Sequence, residues 1–273
     1  MFDAVFLFRD ALYGALVIAL ACSVLGVYVV LRRIVFVGAA LAQLSSAGIA
    51  LALWLAGLGL ATSLTSHPIG LSLVATLAGV IFFAQGGTRS RLPHDATIGV
   101  TYAVAAAAGI LLVSKARVGE AHDIFLQGNI LGITRTDTLV LAAVAVPVLL
   151  VHLAFYKEFL FVSFDRETAR TLGYRVGAWN LFLYLTLGVV IAFSMQFAGV
   201  LLVFNFLVLP AVTGLLASRS MRGAFVLAVL SALLAALVGF CISVPFDLPS
   251  GPAIIATSGV LAALAWVVRR VRA

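Results

Sequence analysis

The chain has 273 residues, of which 64% are apolar and only 10% charged, with a formal net charge of +7. A soluble domain needs roughly a quarter charged residues to cover its surface, so this composition excludes the soluble classes and leaves one polytopic membrane domain over residues 1–273. The basic excess does not mark a nucleic-acid binder, because it is divided into short clusters between apolar runs: Arg32 and Arg33; Arg89 and Arg91; Lys157 to Arg175; Arg219 and Arg222; Arg269 to Arg272. The positive-inside rule produces this pattern.

Asp3, Arg9 and Asp10 precede an apolar run of spanning length with no small-residue cleavage site after it. That run reads as a retained helix, residues 11–31, rather than a signal peptide. A second span is expected over 37–57, ending before the polar cluster TSLTSHP. A third follows Pro68 and stops at the Gly/Arg/Pro loop QGGTRSRLP. His94 and Asp95 open a fourth that runs to Ser114, with Asp95 at the end where a carboxylate meets the positive helix dipole. The stretch 115–137 is the longest extracytoplasmic candidate. Its apolar centre of roughly 10 residues is too short to span and reads as a re-entrant or interfacial helix. A fifth span is expected from Thr138 to Phe155.

The polar segment KEFLFVSFDRETARTLGYR then gives way to a run without charge from Val176 to Ser218. That run is about 43 residues, twice the ~20 one crossing needs. It must hold two spans with a turn between them, 178–197 and 199–217, near Gln196 and Gly199. Spans over 223–243 and 252–268 complete an all-α architecture of nine transmembrane helices, with eight as the alternative. The N-terminus is then outside, the C-terminus inside, and the named basic clusters cytoplasmic.

All ten acidic residues fall in loops or at helix ends, whereas ion-coupled carriers place a carboxylate deep in the bilayer. No GxxxxGK[ST] loop is present, and neither is an HExxH or a Ser/His pair at membrane depth. The chain therefore reads as a transport protein and not an enzyme, with no cofactor of its own. Any ATP would be hydrolysed on a separate subunit. Cys22 and Cys241 lie inside spans and offer no disulfide or metal spacing. His152, one turn from the cytoplasmic end of its span, is expected to face the headgroups. Polar side chains within spans have two readings, helix packing or the lining of a path. They are Gln43 and Ser46 in the small-residue stretch VGAALAQLSSAG, and Gln196 and Asn205 further on. His122, Asp123 and Asn129 in the extracytoplasmic loop either cap a path or are simply solvated.

Several stretches in order resemble the metal-type ABC permeases, the membrane subunits of bacterial zinc, manganese and iron importers. They are LGVYVVLRR with GAALAQLSSAGIALAL, DATIGVTYAVAAAAGILLVS, HDIFLQGNILGIT, and above all FDRETARTLGYR continuing through GVLLV and LPA. The resemblance implies a fold like that of the cobalamin and siderophore (type II) importers. It implies a homodimer in the bacterial inner membrane, two cytoplasmic ATPase subunits and an extracytoplasmic solute-binding protein. It also implies a docking segment for the ATPase after LPA, Thr213 to Arg222, including Leu215, Ser218 and Arg219. The cargo would be a divalent metal or a metal chelate, and an ATP-independent channel or secondary carrier is the alternative. In one place the chain departs from the family pattern. The family typically reads GDALSH, whose Asp and His are the implied metal contacts, and here those positions are Ala39 and Gln43. An alanine and an amide make a poor site for a borderline metal.

Overall fold

The computed structural model describes residues 8–59, 68–85, 93–115 and 130–272. All regular structure among them is helical. The helices are α1 (Arg9–Leu31), α2 (Val35–Gly57), α3 (Pro68–Gln85), α4 (His94–Lys115), α5 (Arg135–Ala154), α6 (Tyr156–Phe164), α7 (Arg166–Thr171), α8 (Val176–Ala217), α9 (Met221–Ser243) and α10 (Ser250–Arg272), with a 3₁₀ turn at Ile130–Gly132. In hydrocarbon every backbone N–H and C=O must be satisfied within the segment, which makes long uncharged runs helical.

Seven of these helices are long and apolar enough to cross a membrane, with Val176–Ala217 taken as one and Pro68–Ala84 a shorter apolar helix. The expectation of nine spans differs from this tally at those two elements. A straight helix of 42 residues would be about 63 Å long, twice the hydrocarbon core, and α8 is not straight. Gly199 has φ 71° and ψ 169°, a conformation essentially reserved for glycine. The contacts of α8 with α1 show what the break does. Asn180 meets Arg32 at the C-terminal end of α1. Val190 and Ser194 lie against Val17 and Ala21 nearer its start. After Gly199, Leu207 is back beside Gly26. The chain climbs α1 and then descends it.

α1 is the centre of the bundle. It packs against α8, α9 and α5, and its face from Ala11 to Val29 is buried almost throughout. At its C-terminal end Tyr28 sits 5.0 Å from the ring of Phe225 on α9 and 5.8 Å from Phe159 on α6. His152 joins this cluster. It is 1% exposed, stacks on Phe159 at 4.4 Å, and places Nδ1 2.9 Å from the Val148 carbonyl. The expected headgroup-facing histidine is thus a core residue, because α6 folds back under the bundle and covers it.

Caps fix the shorter elements. Thr134 and Asp137 form a capping box, with the Asp137 amide donating to Thr134 Oγ1 and the Thr134 amide to Asp137 Oδ2, and this starts α5 at Arg135 rather than Thr138. Asp165 caps α7. Its carboxylate accepts from the Thr168 hydroxyl and amide, which hold its pKa below the ordinary value. The polar segment KEFLFVSFDRETARTLGYR contains these two helices: Phe159, Val162 and Ala169 turn inward, while Arg166, Arg170 and, just beyond them, Arg175 are exposed.

Candidate translocation groove and cytoplasmic docking face

A groove of about 580 Å³ opens on the face where α2, α4 and α8 meet. α2 contributes Phe36 and Ala39, α4 contributes Asp95, Gly99 and Tyr102, and α8 contributes Leu201 and Phe204 just past the Gly199 break. Parallel packing of α2 and α4, with Gly109 lying on Ala47, sets the first two walls. Phe36 and Leu201 are more than half exposed, so the groove is open. Its one charged residue among the described residues is Asp95, in the first turn of α4.

The residues read as path-lining from the sequence do not share one surface. Ala39 lines the groove, and Gln43, one turn further along α2, is 7% exposed. Ser46 is half-buried, with its hydroxyl toward Gly109 on α4. Asn205 turns to α10, its amide nitrogen donating to Ser258 Oγ at 3.1 Å. Two side-chain oxygens, Asn205 Oδ1 and Gln196 Oε1, are buried without a partner among the described residues. His122, Asp123 and Asn129 lie outside the described residues.

At the other end of α8 the chain reverses in the three residues Ser218, Arg219 and Ser220. Ser218 Oγ accepts from the Ser220 amide at 3.1 Å, and Ser220 Oγ accepts from the Gly223 amide at 3.2 Å to start α9. Arg219 and Arg222 stand exposed on this turn. Beside it a cleft of about 230 Å³ runs between Leu215, Ser218 and Arg219 on one side and Val268 and Arg269 of α10 on the other. Thr213 is not part of the turn. It is buried in α8 with its hydroxyl donated back to the Leu209 carbonyl, so within the expected docking segment Leu215 to Ser218 are half-buried and Arg219, Ser220 and Arg222 are exposed.

Sequence reasoning missed two features. Asp95 was legible only as a helix start, because the groove it faces is built from segments a hundred residues apart. Arg32 was counted only as a topology marker. It is 8% exposed, donating from Nε to Ser163 Oγ at 2.8 Å and from Nη1 to Asn180 Oδ1 at 2.6 Å, while Nη2 is buried without a partner among the described residues. Asn180, isolated in the apolar opening of α8, was the available signal.

An all-helical bundle with a doubled-back arm, an open groove and a basic terminal turn defines a polytopic membrane permease. The family model of the ABC 3 transport family matches residues 4–269, and the chain belongs to that family of metal-type ABC transporter permeases. It is similar to the manganese transport system membrane protein MntC of Halalkalibacterium halodurans, 29% identical over 94% of this chain and 86% of that one. It is also similar to a probable iron transport system membrane protein of Haemophilus influenzae, 28% identical over 97% and 94%. Among solved structures, PsaBC from Streptococcus pneumoniae in complex with Fab superposes with a TM-score of 0.82 at 26% identity, over 94% of this chain and 90% of that one. A putative metal-chelate type ABC transporter in an inward-facing conformation shares the fold, with a TM-score of 0.74 at 14% identity.

Proposed function

We propose that this chain is the membrane subunit of an ATP-driven importer for a divalent metal ion (zinc, manganese or iron) or a metal chelate. It works as a homodimer in the bacterial inner membrane, with two ATPase subunits below and a solute-binding protein outside. The observation that carries this reading is the second half of α8. One helical arm begins at Gly199, lines the groove with Leu201 and Phe204, and ends at the exposed basic turn of Ser218, Arg219 and Arg222. A push on that turn is delivered to the groove through packed helix, the kind of rigid element that couples distant sites. The names of the relatives, transporters of manganese and iron, support the cargo class.

The reading includes nine crossings, counting α3 and both halves of α8, with the N-terminus outside and the C-terminus inside. Leu215, Ser218, Arg219 and Arg222 meet the ATPase, with Thr213 setting the helix end behind them. Ala39 and Gln43 lie on the cargo path. Ser46, Gln196 and Asn205 hold the helices around it, the two unpartnered oxygens being available when the helices shift. His122, Asp123 and Asn129 receive cargo on the outer side. ATP binds only to the partner subunit.

The experiment is uptake of radiolabelled manganese, zinc and iron into vesicles holding this chain with and without its ATPase subunit. Uptake that depends on ATP and on the ATPase supports the reading. Uptake by this chain alone without ATP overturns it in favour of a channel or secondary carrier.

A further inference from the structure

The described lining of the groove offers a bare ion little to bond and offers a larger one space and apolar surface. A divalent metal gives up its water only to a cage of several oxygen or nitrogen ligands. Among the described residues no three His, Cys, Asp or Glu side chains come together. The resemblance described above would put the family's Asp and His at Ala39, which lines the groove, and at Gln43, buried one turn further along α2. What the groove offers instead is space of about 580 Å³ and, among the described residues, a largely apolar wall, three aromatic rings and one carboxylate. Phe36 and Phe204, from α2 and α8, line one volume with Tyr102 of α4. Aromatic walls beside an acid attract cations whose charge is spread over an organic surface. Asp95 is exposed in the first turn of α4, at one end of that helix, where a cation in the groove can reach it.

We propose that this groove takes a cationic metal chelate, a metal whose coordination shell is already filled by an apolar organic ligand. Asp95 supplies the counter-charge and Ala39 supplies room. The proposal rests on the transport reading above and names its cargo class. Ala39 meets the groove with a small side chain, and no protein atom needs to bond the metal.

The test is binding to the full chain purified in lipid nanodiscs, without the ATPase, so that it reads the groove and not the coupled cycle. The probes are tris(2,2′-bipyridine)iron(II), which is a dication with an apolar surface, the same complex made from sulfonated ligands, which is an anion, and manganese(II) chloride. The expected result is saturable binding of the first alone. Asp95→Asn should weaken it by about tenfold, the scale set by one partly screened charge pair. Asp95→Glu should restore it, Ala39→Trp should abolish it, and Glu158→Gln, outside the groove, should leave it unchanged. Each variant is scored only with a wild-type elution profile. Equal binding of the sulfonated complex, binding of the dication indifferent to Asp95→Asn, or Asp95-dependent binding of manganese(II) alone would each overturn the proposal. ATP-independent uptake in vesicles would overturn the transport reading and leave the binding result standing.

Discussion

The backbone of Leu207 passes so close to Gly26 that a Cβ on Gly26 would overlap the Leu207 carbonyl. The contact joins the middle of α1 to the descending half of α8, and it exists only because α8 has already turned back. Between helices in lipid, where apolar burial gives no driving force, such close approach is the main source of association. Gly26→Ala should therefore force α1 and α8 apart at a cost of about 1–3 kcal/mol, the usual range for overpacking. The check is thermal unfolding of the purified protein in detergent. Gly259→Ala, where the added Cβ meets nothing within 4 Å, should leave the midpoint unchanged.

Gly199 carries the reversal itself. Its φ of 71° with ψ of 169° suits no side chain, and any substitution there costs on the order of 1–3 kcal/mol in strain. Gly199→Ala should lower stability by that amount. It should reduce uptake more than Gly26→Ala does, because Val200 and Leu201 next to the break line the groove. Equal loss of stability with full uptake would show that the break matters only for folding.

The sequence made the doubled-back helix legible through simple length: an uncharged run twice the bilayer thickness must turn. It also placed the turn near Gln196 and Gly199, about the middle of that run. The groove was not legible, because its walls are set by which faces of α2, α4 and α8 meet. Helices that are apolar all round carry little periodic signal about which face turns inward. Ser46 and Asn205 show the consequence. Both were polar residues in spans, and they turn to different neighbours, α4 and α10. His152 failed for a related reason: its burial depends on α6, a short helix whose return under the bundle no local pattern announces.

Arg32 is held by Asn180 and Ser163 in a buried site. Removing one partner of a buried charged donor leaves it uncompensated, at a cost of about 1–3 kcal/mol. Asn180→Leu should destabilise the protein by that order. Ser163→Ala should do the same, since it removes the Nε partner. The double substitution should cost less than the sum if the guanidinium escapes to water once both are gone, which a double-mutant cycle by thermal unfolding would read.

Acid should loosen α7 before it touches the bundle. Asp165 is fully exposed and caps α7 through the Thr168 amide and hydroxyl, which lower its pKa below the ordinary carboxylate value. A depressed carboxylate pKa means that this contribution is fully present above the ordinary value and is lost as pH falls through the lower, folded-state value. Amide exchange at Thr168 should therefore accelerate only in that acidic window, and Asp165→Ala should show the faster rate at neutral pH already. An exchange rate that ignores both would mean the cap does not hold this turn.

The basic turn gives the last prediction. Arg219 is exposed on a reversal of only three non-helical residues, fixed by Ser218 and Ser220, and Arg222 is exposed in the first turn of α9. Rigid exposed charge at the end of a continuous helical arm is suited to receive force from an acidic partner surface, and its replacement acts on the encounter rather than on the fold. The pair of changes Arg219→Glu and Arg222→Glu should leave membrane insertion and the unfolding midpoint as they are. It should cut co-purification of the ATPase and ATP-dependent uptake by at least about tenfold, as reversal of two charges at an interface does. Ser218→Ala and Ser220→Ala keep both charges but remove the hydroxyls that hold the reversal, and should reduce uptake while the ATPase still co-purifies. Retention of full uptake by the double Glu variant would place the ATPase contact elsewhere, with the exposed face of α7 bearing Arg166 and Arg170 as the next surface to reverse.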